Sequence, residues 1–83
     1  MKISDGNKTV KIEMKVWQGG GYSPDWSLDF FEAGGLEYDA EHDAYIVEDV
    51  DYCIEQAEDW KNSTGDYAMD EPNENNEVFV EEI

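Results

Sequence analysis

The side chains in this sequence that could do chemistry are carboxylates. The 83 residues include 22 Asp and Glu against five Lys and no Arg, giving a formal net charge of −17. After residue 15, Lys61 is the single basic residue among 20 acids. Because like charges destabilise a compact domain by self-repulsion, we expect this charge to serve a purpose. A polyanion binds basic surfaces, and the cellular surfaces shaped for one are mostly those that bind nucleic acid.

These carboxylates lack the partners that catalysis needs. The sole histidine, His42, falls in a predicted turn, and the sole cysteine, Cys53, falls on the apolar side of a predicted helix. A hydrolase needs a nucleophile close to a base, and neither position offers that. Gly19 to Gly21 lacks the lysine of a phosphate-binding loop, and Asp70 to Glu74 has proline where a calcium ligand is expected. We therefore expect no enzyme, no cofactor and no metal site.

The composition predicts one folded domain over residues 1–83. Forty per cent of residues are hydrophobic and eleven are aromatic, which is too much apolar material for a disordered acidic tail. The unpaired Cys53, together with an N-terminus that has no apolar run, predicts a cytoplasmic protein. Anionic lipid and nucleic acid both repel such a chain, so we expect neither a membrane nor a nucleic acid as a direct partner. The chain is expected to be a monomer or a small homo-oligomer.

Alternating hydrophobicity predicts the first strands. Thr9 to Val16 alternates strictly, with apolar residues at every even position, and is the clearest strand in the sequence. The turn residues Gln18 to Gly21 and Ser23 to Asp25 follow it. Trp26 to Phe30 alternates again and predicts a second strand.

A hairpin and an edge strand complete the predicted sheet. Leu36 to Asp39 and Ala44 to Val47 are two short strands joined by a four-residue turn, with Tyr38 and Tyr45 as a possible cross-strand pair. Val78 to Val80 adds a last edge strand, after an acidic, turn-rich loop over residues 65–77.

The periodicity changes after Val47 and predicts one amphipathic helix. The apolar residues then follow helical spacing along one face: Val50, Cys53, Ile54, Ala57 and Trp60. Asp49 is a candidate N-cap, Lys61 suits the C-terminal end of the helix dipole, and Asn62 to Gly65 ends the helix. The fold class is therefore α+β, a small antiparallel sheet of four to five strands with one amphipathic helix packed on it.

Two rows of acids are the predicted partner-binding residues. The helix row lies away from the apolar face and consists of Glu48, Asp49, Asp51, Glu55, Glu58 and Asp59. The hairpin row consists of Glu37, Asp39, Glu41 and Asp43. Fourteen helical residues span about 21 Å, so five helix acids fall about every 4 Å, close to the ~3.4 Å between phosphates of one DNA strand. The alternative is an ordinary solvated face, but solubility alone is served by mixed charges.

The aromatic residues have two readings. Trp26, Phe30 and Trp60 are expected in the core. Trp17 and Tyr22 flank the glycine turn, and they either fold back over the edge of the core or lie on the surface as interface anchors.

Part of the chain resembles a known family. Val16-Trp17-Gln18-Gly19-Gly20-Gly21-Tyr22-Ser23 resembles the V-W-x-G-x-G-Y-[S/T] stretch of small acidic phage anti-CRISPR proteins of type I-F, which mimic DNA and block the guide-RNA surveillance complex. The segment from Ala44 through Asp59-Trp60 is similar to their acidic segment and helix. The resemblance covers roughly residues 16–61. It implies that the target is contacted by Asp49, Asp51, Glu55, Glu58 and Asp59. Those proteins carry a helix where this chain has its first strand.

These observations lead to one expected function and three alternatives. We expect an acidic DNA mimic that binds the nucleic-acid-binding surface of a host defence complex, a CRISPR effector first, and blocks DNA binding. An anti-restriction DNA mimic is the nearest alternative. An acidic partner of a basic host protein would bind by charge alone, and a halophile housekeeping domain would use its acids only to hold water and salt.

Overall fold

A computed structural model describes residues 1–62 and 75–83. It contains a five-stranded sheet with strand order β3-β4-β1-β2-β5 and one main helix, α2. The elements are β1 Lys2–Ser4, β2 Thr9–Val16, α1 Ser27–Phe30, a 3-10 turn Ala33–Gly35, β3 Tyr38–Asp39, β4 Ala44–Ile46, α2 Val50–Asn62 and β5 Asn76–Glu82. The predicted α+β class, with one helix on a small sheet, is confirmed. None of the helices in the described ranges is long and apolar enough to cross a membrane.

Strand β2 lies inside the sheet and confirms the strongest prediction from the sequence. Its bounds are those of the alternating segment, and Val10, Ile12 and Met14 are fully buried on one face. It pairs antiparallel with β1 on one side and with β5 on the other. The apolar residues of β2 therefore form the floor on which α2 packs.

The sheet is mixed, which corrects the expectation that it is antiparallel throughout. Strand β1 was not predicted, and it pairs parallel with β4, placing Ile3 beside Tyr45. The same strand pairs antiparallel with β2 through a tight turn in which Gly6 has a φ of 89°. Only Ile3 of this three-residue strand is apolar, so its sequence carries too short an alternation to be detected.

The predicted strand from Trp26 to Phe30 is wrong, because Ser27–Phe30 forms the short helix α1. The Asp25 carboxylate accepts a hydrogen bond from the Ser27 N–H at 2.9 Å, a local turn that starts a helix and competes with a strand. Residues four apart also share a helix face, so Trp26 and Phe30 still pack against the core as expected. An alternation of five residues does not distinguish these two structures.

The hairpin and the edge strand are confirmed. Strands β3 and β4 pair with Tyr38 opposite Tyr45, and the two rings meet edge to face with centroids 5.4 Å apart. Both strands are shorter than predicted. Strand β5 is the edge strand predicted around Val78 to Val80, and it is longer, pairing with all of β2 except Thr9. Of the predicted acidic loop, residues 65–74 lie outside the described ranges, whereas Asn76 and Glu77 belong to β5.

Helix α2 buries the predicted apolar face. Val50, Cys53, Ala57 and Trp60 are buried, and Ile54 packs against them. The helix runs from the β1–β2 turn, where Val50 is bonded to Asp5, to the sheet edge, where Lys61 pairs with Glu77 of β5. It therefore crosses one face of the sheet and leaves its polar side in solvent.

Candidate partner-binding surface

The predicted helix acids lie on the solvent side of α2. Burial of the apolar face turns Asp51, Glu55, Glu58 and Asp59 outward, and all four are exposed. Glu48, in the segment before the helix, is exposed as well. At ~1.5 Å per residue, the row from Asp51 to Asp59 spans about 12 Å.

The few lysines pair with carboxylates other than Glu55, Glu58 and Asp59. Each of the five lysines has a carboxylate partner. The ion pairs join Lys2 to Asp43, Lys8 to Asp51 and Glu82, Lys11 and Lys15 to Glu13, and Lys61 to Glu77. Within residues 1–62 and 75–83, no lysine or histidine nitrogen lies at ion-pair distance from Glu55, Glu58 or Asp59. These three carboxylates, which we call the helix triad, are exposed and uncompensated by a neighbouring cation.

Asp51 differs from the helix triad. Its carboxylate lies 2.8 Å from the Lys8 amine, and this hydrogen bond with the attraction between the charges raises the pKa of Lys8. The two residues are 43 positions apart in the sequence, so no local sequence pattern predicts the pair. Part of the negative charge at the start of α2 is therefore compensated within the fold.

Two aspartates cap the N-terminus of α2. Asp49, as predicted, accepts a hydrogen bond from the Tyr52 N–H at 3.2 Å. Asp5 in the β1–β2 turn accepts one from the Val50 N–H at 3.0 Å, and its other oxygen accepts from the N–H groups of Asn7 and Lys8. These backbone donors, led by Val50, lower the pKa of Asp5. Asp49 thus has a structural role besides its exposure, and sequence reasoning missed the cap at Asp5.

The hairpin acids are largely held by their own turn. The Asp39 carboxylate accepts from the Glu41 N–H at 2.9 Å and lies 2.5 Å from His42 Nδ1. That contact with His42 lowers the pKa of Asp39 and raises the pKa of His42, which is exposed as predicted. Asp43 accepts a hydrogen bond from the Tyr38 hydroxyl and forms an ion pair with Lys2. In this row, only Glu37 and Glu41 are exposed and form neither a side-chain hydrogen bond nor an ion pair with the described residues.

The two predicted acid rows do not form one surface. The hairpin lies at the β3 edge of the sheet, whereas the C-terminal end of α2 lies beside β5, the opposite edge. The turn itself could hold a divalent cation, because one ligand atom each from Asp39, Glu41 and His42 lies within 4.8 Å of the others. The expectation that the chain needs no metal stays a prediction.

Asp25 organises the segment that follows the glycine turn. Its carboxylate accepts hydrogen bonds from the Met14 N–H at 3.0 Å, from the Ser27 hydroxyl at 2.8 Å and from the Met1 ammonium at 3.1 Å. Burial alone would raise the pKa of Asp25, but these hydrogen bonds outweigh it and lower the pKa. The sequence indicated only a turn at this position.

Trp17 and Tyr22 lie on the surface and are not folded back over the core. Their side chains are 42% and 47% exposed, and their rings meet edge to face at 5.1 Å. Phe79 of β5 extends the group, lying 5.5 Å from Tyr22 with 39% of its surface exposed. We call these three residues the aromatic cluster.

Cys53 is a core residue, as predicted. It is buried on the apolar face of α2, and burial, reinforced by the charges of Asp49 and Asp5, raises the pKa of its thiol. A raised thiol pKa disfavours the thiolate that nucleophilic chemistry would need.

Comparisons with known proteins add no relative. No family model matches the chain, and neither the curated proteins nor the solved structures contain a match to it. The exposed acids of α2 and the resemblance in residues 16–61 are therefore the features that bear on function.

Proposed function

We propose that the protein is an acidic inhibitor that occupies the DNA-binding channel of a bacterial host defence complex and excludes DNA. The observation that carries this proposal is the helix triad. Glu55, Glu58 and Asp59 are exposed on a helix anchored by its buried face, while every lysine of the chain is engaged with other carboxylates. A surface intended only for solubility gains nothing from this separation of charges.

The mechanism is competition without catalysis. Carboxylates on a rigid helix are held at nearly fixed spacing, so they replace phosphates as partners of the target's lysines and arginines. Counterions leave both surfaces on binding, as they do when DNA binds. The resemblance to type I-F anti-CRISPR proteins makes a guide-RNA surveillance complex the first target to test, in the cytoplasm of the host cell, and a restriction enzyme the second.

A competition assay with two charge-matched variants tests the proposal. The helix variant carries Glu55→Gln, Glu58→Gln and Asp59→Asn. The control variant carries Glu37→Gln, Glu41→Gln and Glu48→Gln, which removes the same charge from the hairpin and the segment that follows it. Each protein is titrated against labelled target DNA on the purified effector complex.

The helix variant is expected to compete about 10- to 150-fold more weakly, because three exposed ion pairs at about 0.5–1 kcal/mol each are lost. The control variant should lose far less, and the melting temperature of both should equal or slightly exceed that of the wild type, because repulsion falls. Equal losses in the two variants would instead indicate binding by net charge alone. Simultaneous binding of the protein and DNA to the complex would refute DNA mimicry.

A further inference from the structure

The sheet face turned away from α2 differs in charge from the rest of the molecule. We call it the open face. Residues directly opposite in an antiparallel pair share a face, so the odd-numbered residues of β2 lie here with their partners on β5. On β1, β2 and β5, the charged residues of the open face are three lysines and three glutamates: Lys2, Lys11, Lys15, Glu13, Glu77 and Glu81.

This balance matters because of the charge elsewhere. The chain carries −17, so most pairs of surfaces on two copies repel each other. A two-fold dimer brings one patch against the same patch of its partner, and that patch must therefore be self-complementary. An all-acidic helix face does not meet this condition, whereas the part of the open face on β1, β2 and β5, with equal numbers of both charges, does.

The aromatic cluster lies on the same side. Phe79 is opposite Glu13 in the ladder and therefore belongs to the open face, and Tyr22 and Trp17 extend from it ring to ring. Three large aromatic side chains that are each about 40% exposed or more form an apolar patch of the kind that marks interaction sites. Aromatic residues are also enriched where protein interfaces are fully buried.

The geometry points to the open face as the interface of a two-fold symmetric homodimer. Consider a two-fold axis parallel to the strands and midway between β2 and β5. Rotation about it sets each β2 residue against the β5 partner of the second copy. Lys11 then faces Glu81 of the other chain, and Lys15 faces Glu77, each pair occurring twice.

Lys11 and Glu81 are available for such contacts. They are direct neighbours in the ladder, yet the structure forms no ion pair between them, and both side chains are exposed. Lys11 reaches only Glu13, at 3.9 Å. The proposal goes beyond the proposed function and does not depend on it, because the helix triad lies on the other side of the sheet and stays outside the interface.

A charge swap tests the proposal in the intact chain by sedimentation equilibrium at ~0.15 M salt, up to about 1 mM protein. The wild type is expected to show twice the chain mass of 9.5 kDa. Lys11→Glu and Glu81→Lys should each weaken association at least about tenfold, because each puts like charges face to face twice. The double variant K11E/E81K should restore the dimer. Glu55→Lys, which makes the same change in charge as Glu81→Lys on the helix side, should not weaken it.

Three results would overturn the inference. The first is a wild-type chain that stays monomeric over the whole concentration range. The second is a dimer that tolerates both single swaps, which would place the interface elsewhere. The third is a double swap that stays monomeric with an unchanged melting temperature, because the two residues would then not face each other. Inhibition in the DNA competition assay is measured separately, so failure of the dimer does not affect the proposed function.

Discussion

Replacing Trp60 is expected to cost a large share of the stability of this domain. The side chain is fully buried at the C-terminal end of the apolar face of α2, within the cluster formed by β1, β2 and the helix. A domain of 83 residues is stable by about 4–12 kcal/mol, at ~0.05–0.15 kcal/mol per residue. Truncating a buried Trp to Ala removes about 3–5 kcal/mol, so Trp60→Ala should remove between about a quarter and all of that stability.

The indole N–H refines this expectation. Among the described residues, no acceptor reaches Trp60 Nε1, although the atom is buried. A buried donor without a partner costs about 1–3 kcal/mol, so Trp60→Phe loses ring volume but also removes that penalty. We expect Trp60→Phe to cost about 1 kcal/mol, much less than Trp60→Ala.

Urea denaturation followed by far-ultraviolet circular dichroism measures both effects. At an m-value of about 1 kcal/mol/M, the midpoint should fall by about 1 M for Trp60→Phe and by about 3 M or more for Trp60→Ala. Tyr52→Ala, at a 57% exposed position of the same helix, is the control and should change stability by less than about 0.5 kcal/mol. A Trp60→Ala variant that kept its midpoint but lost partner binding would refute the packing, and equal costs for Phe and Ala would show that the N–H has a partner.

Three further outcomes follow from the hydrogen bonds and the charge. Asp25→Asn should lower the free energy of unfolding by about 2 kcal/mol at neutral pH, because a charged acceptor of several donors is lost, while Asp29→Asn on α1 should change it little. The stabilisation that comes from the lowered pKa of Asp25 is fully present above pH 3.8, the ordinary pKa of aspartate, and is lost as the pH falls through the pKa of the folded state. The difference in unfolding free energy between Asp25→Asn and the wild type should therefore shrink in acid. The pKa of His42, followed by NMR, should lie above 6.5 and should fall in Asp39→Asn. The stabilisation from the contact between His42 and Asp39 is fully present below pH 6.5 and is lost as the pH rises through the pKa of His42 in the folded state. The melting temperature should rise from low salt to ~0.15 M sodium chloride, where the Debye length is about 8 Å, and a flat curve would show that the charges are already compensated.

Periodic sequence predicted the elements whose pattern was long enough to be decisive. Eight alternating residues identified β2, and five apolar residues at helical spacing identified the buried face of α2. The same reasoning failed between Trp26 and Phe30, where five residues fit either period and the Asp25 carboxylate decides for a helix. It also missed β1, in which only Ile3 is buried and apolar and whose parallel partner is about 40 residues away in sequence.

The residue types of the candidate site were predictable from the sequence, but which of its acids are neutralised by a nearby lysine was not. The acids of α2 were identified correctly as exposed, since they lie opposite the apolar face. The neutralisation of Asp51 by Lys8 depends on a contact between residues 43 positions apart, and the cap from Asp5 to Val50 on one 45 apart. Such contacts are set by the folded topology, so the helix triad emerged as a distinct group only in three dimensions.

The distribution of the lysines connects the two proposed surfaces. Four of the five lysines lie in the first fifteen residues, and the fold places that segment as β1, β2 and the turn between them. Lys8 in the turn neutralises the start of α2, while Lys11 and Lys15 on β2 balance the open face. Beyond Asp51, α2 has only Lys61 at its end, and that lysine turns to Glu77. The asymmetry along the chain thus becomes an asymmetry between two sides of one sheet. The open face can approach the same face of a second copy without net repulsion, whereas the acidic helix side attracts only a basic partner. A charge reversal on the open face and a neutralisation on the helix should therefore act on different equilibria, self-association and target binding.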